Sequence, residues 1–420
     1  MTDSNTTQFR VDHEVINCCR SCESQRIELV LDFGETPLAD RLLNESTVSE
    51  PEPICPLSVV FCHDCSLLQI RETVPPEILF SSDYPYFSSV SDGLMRHFKG
   101  NVDETRARKS VDENSLVVEV ASNDGYLLRN YKADGIPVLG IDPTDGPVRE
   151  ARAMGIETIH EFFTSDLADS LHAEGRLADI VHGNNVLAHV ADTNGFVAGI
   201  AKILKDDGLV VIECPYVHDL IQKGEFDTIY HQHLCYFSLH AVQTLFERHG
   251  LYVNDVQRIA IHGGSLRLFI GKTNDPATSV QKLLKYEVDA GITDFEYYRG
   301  FAERIDASRD ALIHQLDELK AAGARIAGYG ASAKGCTLMA YMGIGANYLD
   351  YIVDKSRFKQ GLFYAGSRLP IHSPEYLLDD SPDYALLLSW NFADEILKEQ
   401  EEFRQLGGKF VIPIPELSIR

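Results

Sequence analysis

The sequence predicts an α/β protein: a small cysteine-bearing module at the N-terminus, then two units in which strands alternate with helices. Three observations carry that expectation. Six of the nine cysteines fall within the first 65 residues, four of them as two C-x-x-C pairs. Two strand, glycine-turn, helix runs, "LVVEVASNDGYLL" and "ARIAGYGASAKG", each open a series of apolar strands separated by helical stretches, the pattern of parallel sheets. A chain of 420 residues also exceeds what one hydrophobic core accommodates, so two or three domains are expected.

The cysteine module comes first. Cys19 and Cys22 in "NCCRSC" form one pair, Cys62 and Cys65 in "CHDC" the other. Each pair sits on a tight turn that can aim two thiolates at one tetrahedral zinc ion. Four thiolates and no histidine close the site, so its expected role is structural. Cys55 is the one rival ligand between the pairs, and Cys18 a spectator. The plainer alternative is two fortuitous pairs of buried thiols.

After a polar and aromatic segment, "SSDYPYFSSVSDGLMRHF", the first α/β series reads "VVEV", "PVLGIDPT", "ADIVHGNNVLAHV" and "DGLVVIECPYV" as strands. An aromatic stretch, "FDTIYHQHLCYFS", comes after the fourth strand. It precedes the amphipathic helix "SLHAVQTLFERHG" and a later strand in "IAIHGGSLRLFIG". Residues 278–322 are charged and helical in pattern. The second series then runs through "IAGYG", "LDYIVDKS", "YALLLSW" and "GKFVIPIPEL". The expected domains are 11–80, 81–277 and 278–420.

Composition narrows the function classes. The chain is 44% apolar and 24% charged, ordinary for a globular protein. Asp and Glu outnumber Lys and Arg by 63 to 38, a formal charge of −25. That balance reads as a solvated acidic surface and argues against a nucleic-acid binder, which needs a basic face. The apolar runs are of strand length, far short of a membrane span. The polar N-terminus lacks a signal-peptide core, so a cytoplasmic location with reduced thiols is expected. A monomer is the expected state.

The first glycine turn points to a ligand. In "EVASNDG", small or turn-prone residues (Ala121, Asn123, Gly125) occupy the glycine places of the loop E/D-x-G-x-G-x-G. Glu119 opens it, and Ser122 and Asp124 fill it. Asp142, with Pro143 behind it, ends the next strand seventeen residues after Gly125, where an acid bridges ribose hydroxyls. Such a site takes an adenosine ligand. S-adenosylmethionine, a cation without phosphate, suits the acidic turn. NAD(P) would prefer G-x-G-x-x-G and meet Asp124 with its pyrophosphate. A purely structural turn is the third reading. Asn185 and His189 come after a strand end beside this place.

Other candidates stand further along. In "FDTIYHQHLCYFS", Tyr230, His231 and His233 suit proton transfer, with the uncharged Gln232 between the imidazoles. A loop whose histidines satisfy backbone groups, or a metal site lacking an acidic third ligand, are the alternatives. "HGGSLR" offers His262, Gly264, Ser265 and Arg267 to substrate hydroxyls or phosphate, or else forms a β-bulge. "GYGASAKG" is no Walker loop; Gly330 and Lys334 either cradle a diphosphate at a helix N-terminus or simply turn the chain. Tyr84 and Tyr86 are expected to close the pocket, and Asn391 to tether the C-terminal cleft.

Six segments taken in order, "CRSC…CHDC", "VVEVASNDGYLL", "IYHQHLCYFSL", "HGGSLR", "GYGASAKG" and "SWNFADEI", closely resemble the zinc-containing sugar C-methyltransferases. Those enzymes methylate C3 of nucleotide-linked 4-keto-deoxysugars in antibiotic pathways. The resemblance spans residues 15–420. It implies a zinc-binding domain, an S-adenosylmethionine Rossmann domain and a C-terminal Rossmann-like domain, with the sugar nucleotide in the cleft between the last two. His233 falls at the position of the general base and Tyr230 at that of the sugar-holding tyrosine. Gln232 stands where the family has glutamate. An amide keeps the reach of glutamate without its charge, which implies a retuned base or a different acceptor.

Overall fold

The computed structural model describes residues 8–80 and 88–420 apart from residue 91. In the N-terminal unit two long antiparallel strands, Ile27–Pro37 and Glu52–Cys62, form a hairpin extended by Leu68–Ile70. The second cysteine pair lies on the turn that joins Glu52–Cys62 to Leu68–Ile70, and the first on the turn before the hairpin. The module is thus more than the two cysteine turns that the sequence announces.

The middle unit is a seven-stranded sheet. Its strands are β1 (Val117–Val120), β2 (Val138–Ile141), β3 (Thr158–Ile159), β4 (Ala178–Asn184), β5 (Leu204–Pro215), β6 (Tyr252–Ile259) and β7 (Ser265–Gly271). Their order is β3-β2-β1-β4-β5-β7-β6, with β7 antiparallel to both neighbours. β1 and β7 are buried at every position, as expected of strands covered on both faces. The sequence pattern around "HGGSLR" predicts one strand; there are two. Gly263 and Gly264, with φ of +86° and +128°, make the turn between them. A Cβ on either would collide with Glu225 or Asp219, so only glycine fits there.

Helices Thr278–Asp289 and Phe295–Ala321 lead to the C-terminal sheet. Its strands are β8 (Ile326–Tyr329), β9 (Ile352–Val353), β10 (Ile371–His372), β11 (Tyr384–Leu387), β12 (Lys409–Ile412) and β13 (Ser418–Ile419). The order is β10-β9-β8-β11-β12-β13, parallel except for the last strand.

Both α/β sheets reverse their strand order next to the opening strand, between β1 and β4 and between β8 and β11. Ligands of open parallel sheets bind outside the carboxyl ends of strands at such a point. A short strand, Cys235–Tyr236, leaves the middle unit and pairs antiparallel with Leu68–Ile70, becoming an edge of the cysteine module's sheet. No helix among the described residues is long and apolar enough to cross a membrane.

Candidate active site

The four paired cysteines converge. The Sγ atoms of Cys19, Cys22, Cys62 and Cys65 lie within 4.8 Å of one another, with Cys19–Cys65 and Cys22–Cys62 each 3.5 Å apart. Zn–S bonds of about 2.3 Å in a tetrahedron set sulfurs about 3.8 Å apart, so this donor set fits zinc. Hydrogen bonds from Cys62 and Cys65 draw the Cys19 thiol far down, and the same coupling pushes the Cys62 thiol up. Gln69 supports the cluster: its Nε2 donates to Cys19 Sγ at 3.2 Å and its Oε1 accepts from the Arg20 N–H at 3.0 Å. The Arg20 guanidinium, bonded to Thr73 Oγ1 at 2.7 Å, adds positive charge beside the thiolates. Cys18 and Cys55 stay out of the cluster.

At the end of β1 the chain turns through left-handed residues, Ala121 (φ +58°), Asn123 (+48°) and Gly125 (+77°), and Asn185 after β4 matches them at +53°. Non-glycine residues so placed cost about 1–2 kcal/mol each and gather where backbone must approach a ligand. Asp142 closes the turn from β2: Oδ2 accepts the Asn123 N–H at 2.8 Å, and Oδ1 accepts the N–H of Thr144 at 2.9 Å and its hydroxyl. Pro143 comes next, its carbonyl 3.0 Å from His160 Nε2. The backbone N–H groups of Ser88 and Ser89 donate to the Asn123 and Asp124 side chains at 2.9 and 3.2 Å, laying the single helical turn Ser88–Val90, which precedes the helix Asp92–Arg108, over the turn.

Around this turn Glu119 Oε2, Ser122 Oγ, Asp124 Oδ1 and Asn185 Oδ1 are buried and without a partner among the described residues. Two of the four, Asp124 Oδ1 and Asn185 Oδ1, can only accept hydrogen bonds; the Ser122 hydroxyl, and the Glu119 carboxyl when protonated, also donate. Burial raises Glu119 well above the usual carboxylate range. A surplus of buried acceptors suits a cationic ligand rich in N–H and O–H donors, as S-adenosylmethionine is. A dinucleotide pyrophosphate would bring further acceptors.

The histidine stretch lies beside that turn. His233 Nδ1 is 2.7 Å from the Thr228 carbonyl oxygen, so Nδ1 carries the proton and Nε2 presents its lone pair toward Tyr230 Oη at 3.0 Å. The Tyr230 and His233 rings lie 4.1 Å apart. On the other side, the ring of His189 is 4.8 Å from that of His233. His189 Nδ1 donates to the Gln232 carbonyl at 2.7 Å, and the Leu234 N–H to the Ala188 carbonyl at 2.7 Å. These bonds zip the loop after β4 to the histidine stretch. Burial holds His189 down to about 4, so it is a neutral imidazole at pH 7.

The two central residues of the stretch behave differently from His233. His231 is buried against the cysteine module, its Nε2 2.9 Å from the Pro56 carbonyl, and burial holds it down to about 4. Gln232 is buried, with Nε2 3.5 Å from the Leu79 carbonyl.

The remaining sequence candidates divide. Arg267 differs from the substrate-facing role expected of it: its guanidinium is buried between Glu213 at 2.6 Å and Glu104 at 2.8 Å. Ser265 Oγ donates to the Ile261 carbonyl at 3.1 Å, and the Gly264 carbonyl accepts from Tyr216. Gly330 ends β8 with φ +96°. Lys334 Nζ stands 5.1 Å over the ring of Trp390, and Asn391 beside it is exposed. Tyr84, Tyr86 and the side chain of His262 lie outside the described residues.

Sequence reasoning missed Asp227, Thr337 and Trp390. Asp227 is fully buried and accepts the Trp390 indole N–H at 2.6 Å. Burial raises its carboxyl to about 6. Thr337 Oγ1 donates to the Ile229 carbonyl at 2.8 Å. The available signals were a lone acid in an aromatic run and the only tryptophan of the chain.

Comparison with known proteins agrees along the chain. Residues 19–80 match a zinc binding domain family, 96–256 a methyltransferase domain and 260–415 a C-methyltransferase C-terminal domain. C-methyltransferase NovU of Streptomyces niveus is 37% identical over 404 residues, 96% of each chain. Among solved structures, magnesium protoporphyrin IX methyltransferase of Synechocystis PCC 6803 with bound S-adenosylmethionine is 13% identical. It covers 43% of this chain and 80% of its own, with a TM-score of 0.33. An S-adenosylmethionine-dependent methyltransferase of Clostridium acetobutylicum ATCC 824 is 10% identical over 45% and 94%, with a TM-score of 0.35.

Proposed function

Because this chain belongs to the zinc-binding, S-adenosylmethionine-dependent C-methyltransferases, we propose that it methylates C3 of a nucleotide-linked 4-keto-deoxysugar, with His233 as the base. The observation that carries this reading is the 2.7 Å contact of His233 Nδ1 with the Thr228 carbonyl, from which the tautomer is assigned. A ring whose Nδ1–H is committed to the Thr228 carbonyl has only Nε2 with which to take a proton, and Nε2 sits by the Tyr230 phenol.

A ketone at C4 acidifies the neighbouring C3–H. His233 Nε2 removes that proton, and the electron pair moves to the C4 oxygen as an enolate. Tyr230, whose phenol stands 3.0 Å from the base, donates to the developing oxyanion and lowers its energy. The methyl donor S-adenosylmethionine, once bound, would supply an electrophilic methyl group for the enolate carbon. Glu119, Ser122, Asp124, Asn185 and Asp142 hold the donor, and the zip between the loop after β4 and the histidine stretch brings it to the base. Positioning of the two substrates accounts for most of the remaining acceleration.

A second reading keeps the fold and the donor but changes the acceptor atom. It is motivated by Gln232, whose buried amide adds no charge next to the base. The experiment is incubation with S-adenosylmethionine and a thymidine-diphosphate 4-keto-deoxysugar, then mass spectrometry and NMR. A methyl on C3, lost in His233→Ala while donor binding persists, is the expected result. Donor binding without any sugar product would shift the assignment to another acceptor, and Gln232→Glu would then restore activity on the 4-keto-sugar.

A further inference from the structure

A fully buried carboxylate with a single hydrogen bond is costly unless something compensates it. Asp227 is such a group. Its Oδ2 accepts from Trp390, and its Oδ1 has no partner among the described residues. Nothing in the proton transfer itself requires it.

Its neighbours along the chain supply a reason. Asp227, Thr228 and Ile229 are consecutive, at the end of the single helical turn Phe226–Thr228. Asp227 is tied to Trp390, which lies just after β11 of the C-terminal sheet. Ile229 is tied through its carbonyl to Thr337, on the helix after β8. Thr228 lies between these two anchors, and its carbonyl holds His233 Nδ1. Both anchors come from the C-terminal unit, on either side of the β8/β11 reversal. The Trp390 ring is itself held on one face by the Lys334 ammonium.

We infer that Asp227, Trp390 and Thr337 form an interdomain latch that positions the base: docking of the C-terminal unit fixes the Thr228 carbonyl, and that carbonyl fixes the tautomer and aim of His233. This rests on the reading of His233 as the base. The three are positioning residues and touch no reacting atom. When the latch is lost, the Thr228 carbonyl swings, His233 samples both tautomers, and Nε2 no longer points at one place. A displacement of about 1 Å at a reacting group lowers turnover by roughly 100-fold.

The test uses the full-length, zinc-loaded protein and four variants. Trp390→Phe keeps an aromatic face for Lys334 and removes the indole N–H together with part of the bicycle, so it is read against the Asp227 pair, which leaves the indole in place. Asp227→Asn keeps an acceptor for the indole, whereas Asp227→Ala removes it, and Thr337→Val removes the second anchor. Three readouts are taken: imidazole 15N spectra of His233, kcat with KM for the sugar nucleotide, and affinity for S-adenosylmethionine. The expected result for Trp390→Phe and Asp227→Ala is a fall in kcat of roughly 10- to 100-fold. Donor affinity should not change, and the His233 spectrum should move from one tautomer to a mixture. Asp227→Asn should stay close to wild type in both respects.

A single tautomer and wild-type kcat in Trp390→Phe and Asp227→Ala would overturn the latch. So would equal losses in Asp227→Asn and Asp227→Ala with the tautomer unmoved. If Asp227→Ala does not fold, Trp390→Phe decides by the same readouts. The spectra need no sugar. Tautomer mixing in the variants, with a wild type that methylates no keto-sugar, would therefore sink the functional reading and leave the latch standing.

Discussion

At the scale of single residues, the two histidines of one short stretch have opposite surroundings. His233 keeps a carbonyl on one nitrogen and a phenol near the other. His231 points into the cysteine module and bonds the Pro56 carbonyl. The sequence groups them, since i and i+2 are equivalent on a strand; the stretch is no strand there, and the rings diverge. His231 is held at about 4, below the ordinary 6.5. As pH falls below 6.5 the unfolded chain therefore takes up this proton first. The native state loses about 1.4 kcal/mol per pH unit from this residue until its own pKa is reached. His231→Gln, which retains a donor for Pro56, removes that slope. Denaturant titrations should show the variant gaining on wild type from pH 6.5 to pH 4, while methyl transfer at pH 8 survives. Loss of transfer at pH 8 with unchanged stability would instead make His231 catalytic.

At the scale of elements, the parts set by local patterning were legible and those set by tertiary pairing were not. The glycine turn after β1, the acid at the end of β2 and the four cysteines announce themselves because each needs its residue type at a fixed spacing. The reach of Arg267 does not. It comes after Gly264 and Ser265 in a run that looks substrate-facing, yet on β7 it lies beside β5 and meets Glu213. Glu213 also receives Asn101 Nδ2 at 2.7 Å and faces His97 Nε2 at 2.8 Å, both from the helix Asp92–Arg108. Glu104 of that helix completes the pair with Arg267. No spacing rule links residues so far apart in sequence. Because the pair is buried, Arg267→Met leaves the Glu213 carboxylate with Asn101 and His97 alone and should cost about 2–3 kcal/mol, below the roughly 3–5 kcal/mol of a wholly uncompensated buried charge. Urea unfolding measures this, and KM for the proposed sugar-nucleotide acceptor in the folded enzyme should stay near wild type. An unchanged unfolding free energy with a raised KM would return Arg267 to the substrate.

At the scale of the whole molecule, the histidine stretch is where three units meet, which gives the zinc module a consequence beyond its own fold. The C-terminal unit holds residues 227 and 229. The methyltransferase unit holds Gln232 and Leu234 through the loop after β4. The zinc module holds the two residues after His233: the Ile70 N–H donates to the Leu234 carbonyl at 3.0 Å, and Gln69 pairs with Cys235. Gln69 is also the residue whose amide bonds Cys19 Sγ, so one side chain and its backbone join the metal ligands to the strand that leaves His233. The module is fastened to the same unit by Asn194 and Thr193, which donate to the Arg20 carbonyl at 2.8 and 2.9 Å. Four thiolates brought together repel without a cation, and a structural zinc site holds about 10 kcal/mol of folding free energy. Chelation should therefore release the edge strand Cys235–Tyr236 together with the cysteine turns, while the β1 and β4 turns proposed to hold the donor keep their own sheet. The expected outcome is zinc loss by elemental analysis and a lowered melting temperature. Methyl transfer should fall more than tenfold, with S-adenosylmethionine affinity within about twofold of the loaded protein, by the same separation of positioning from binding. Readdition of zinc to protein kept reduced should restore transfer. A zinc-free protein that turns over at the full rate would show that the strand pairing leaves His233 indifferent, and the module would then be a separate fold tethered to the enzyme.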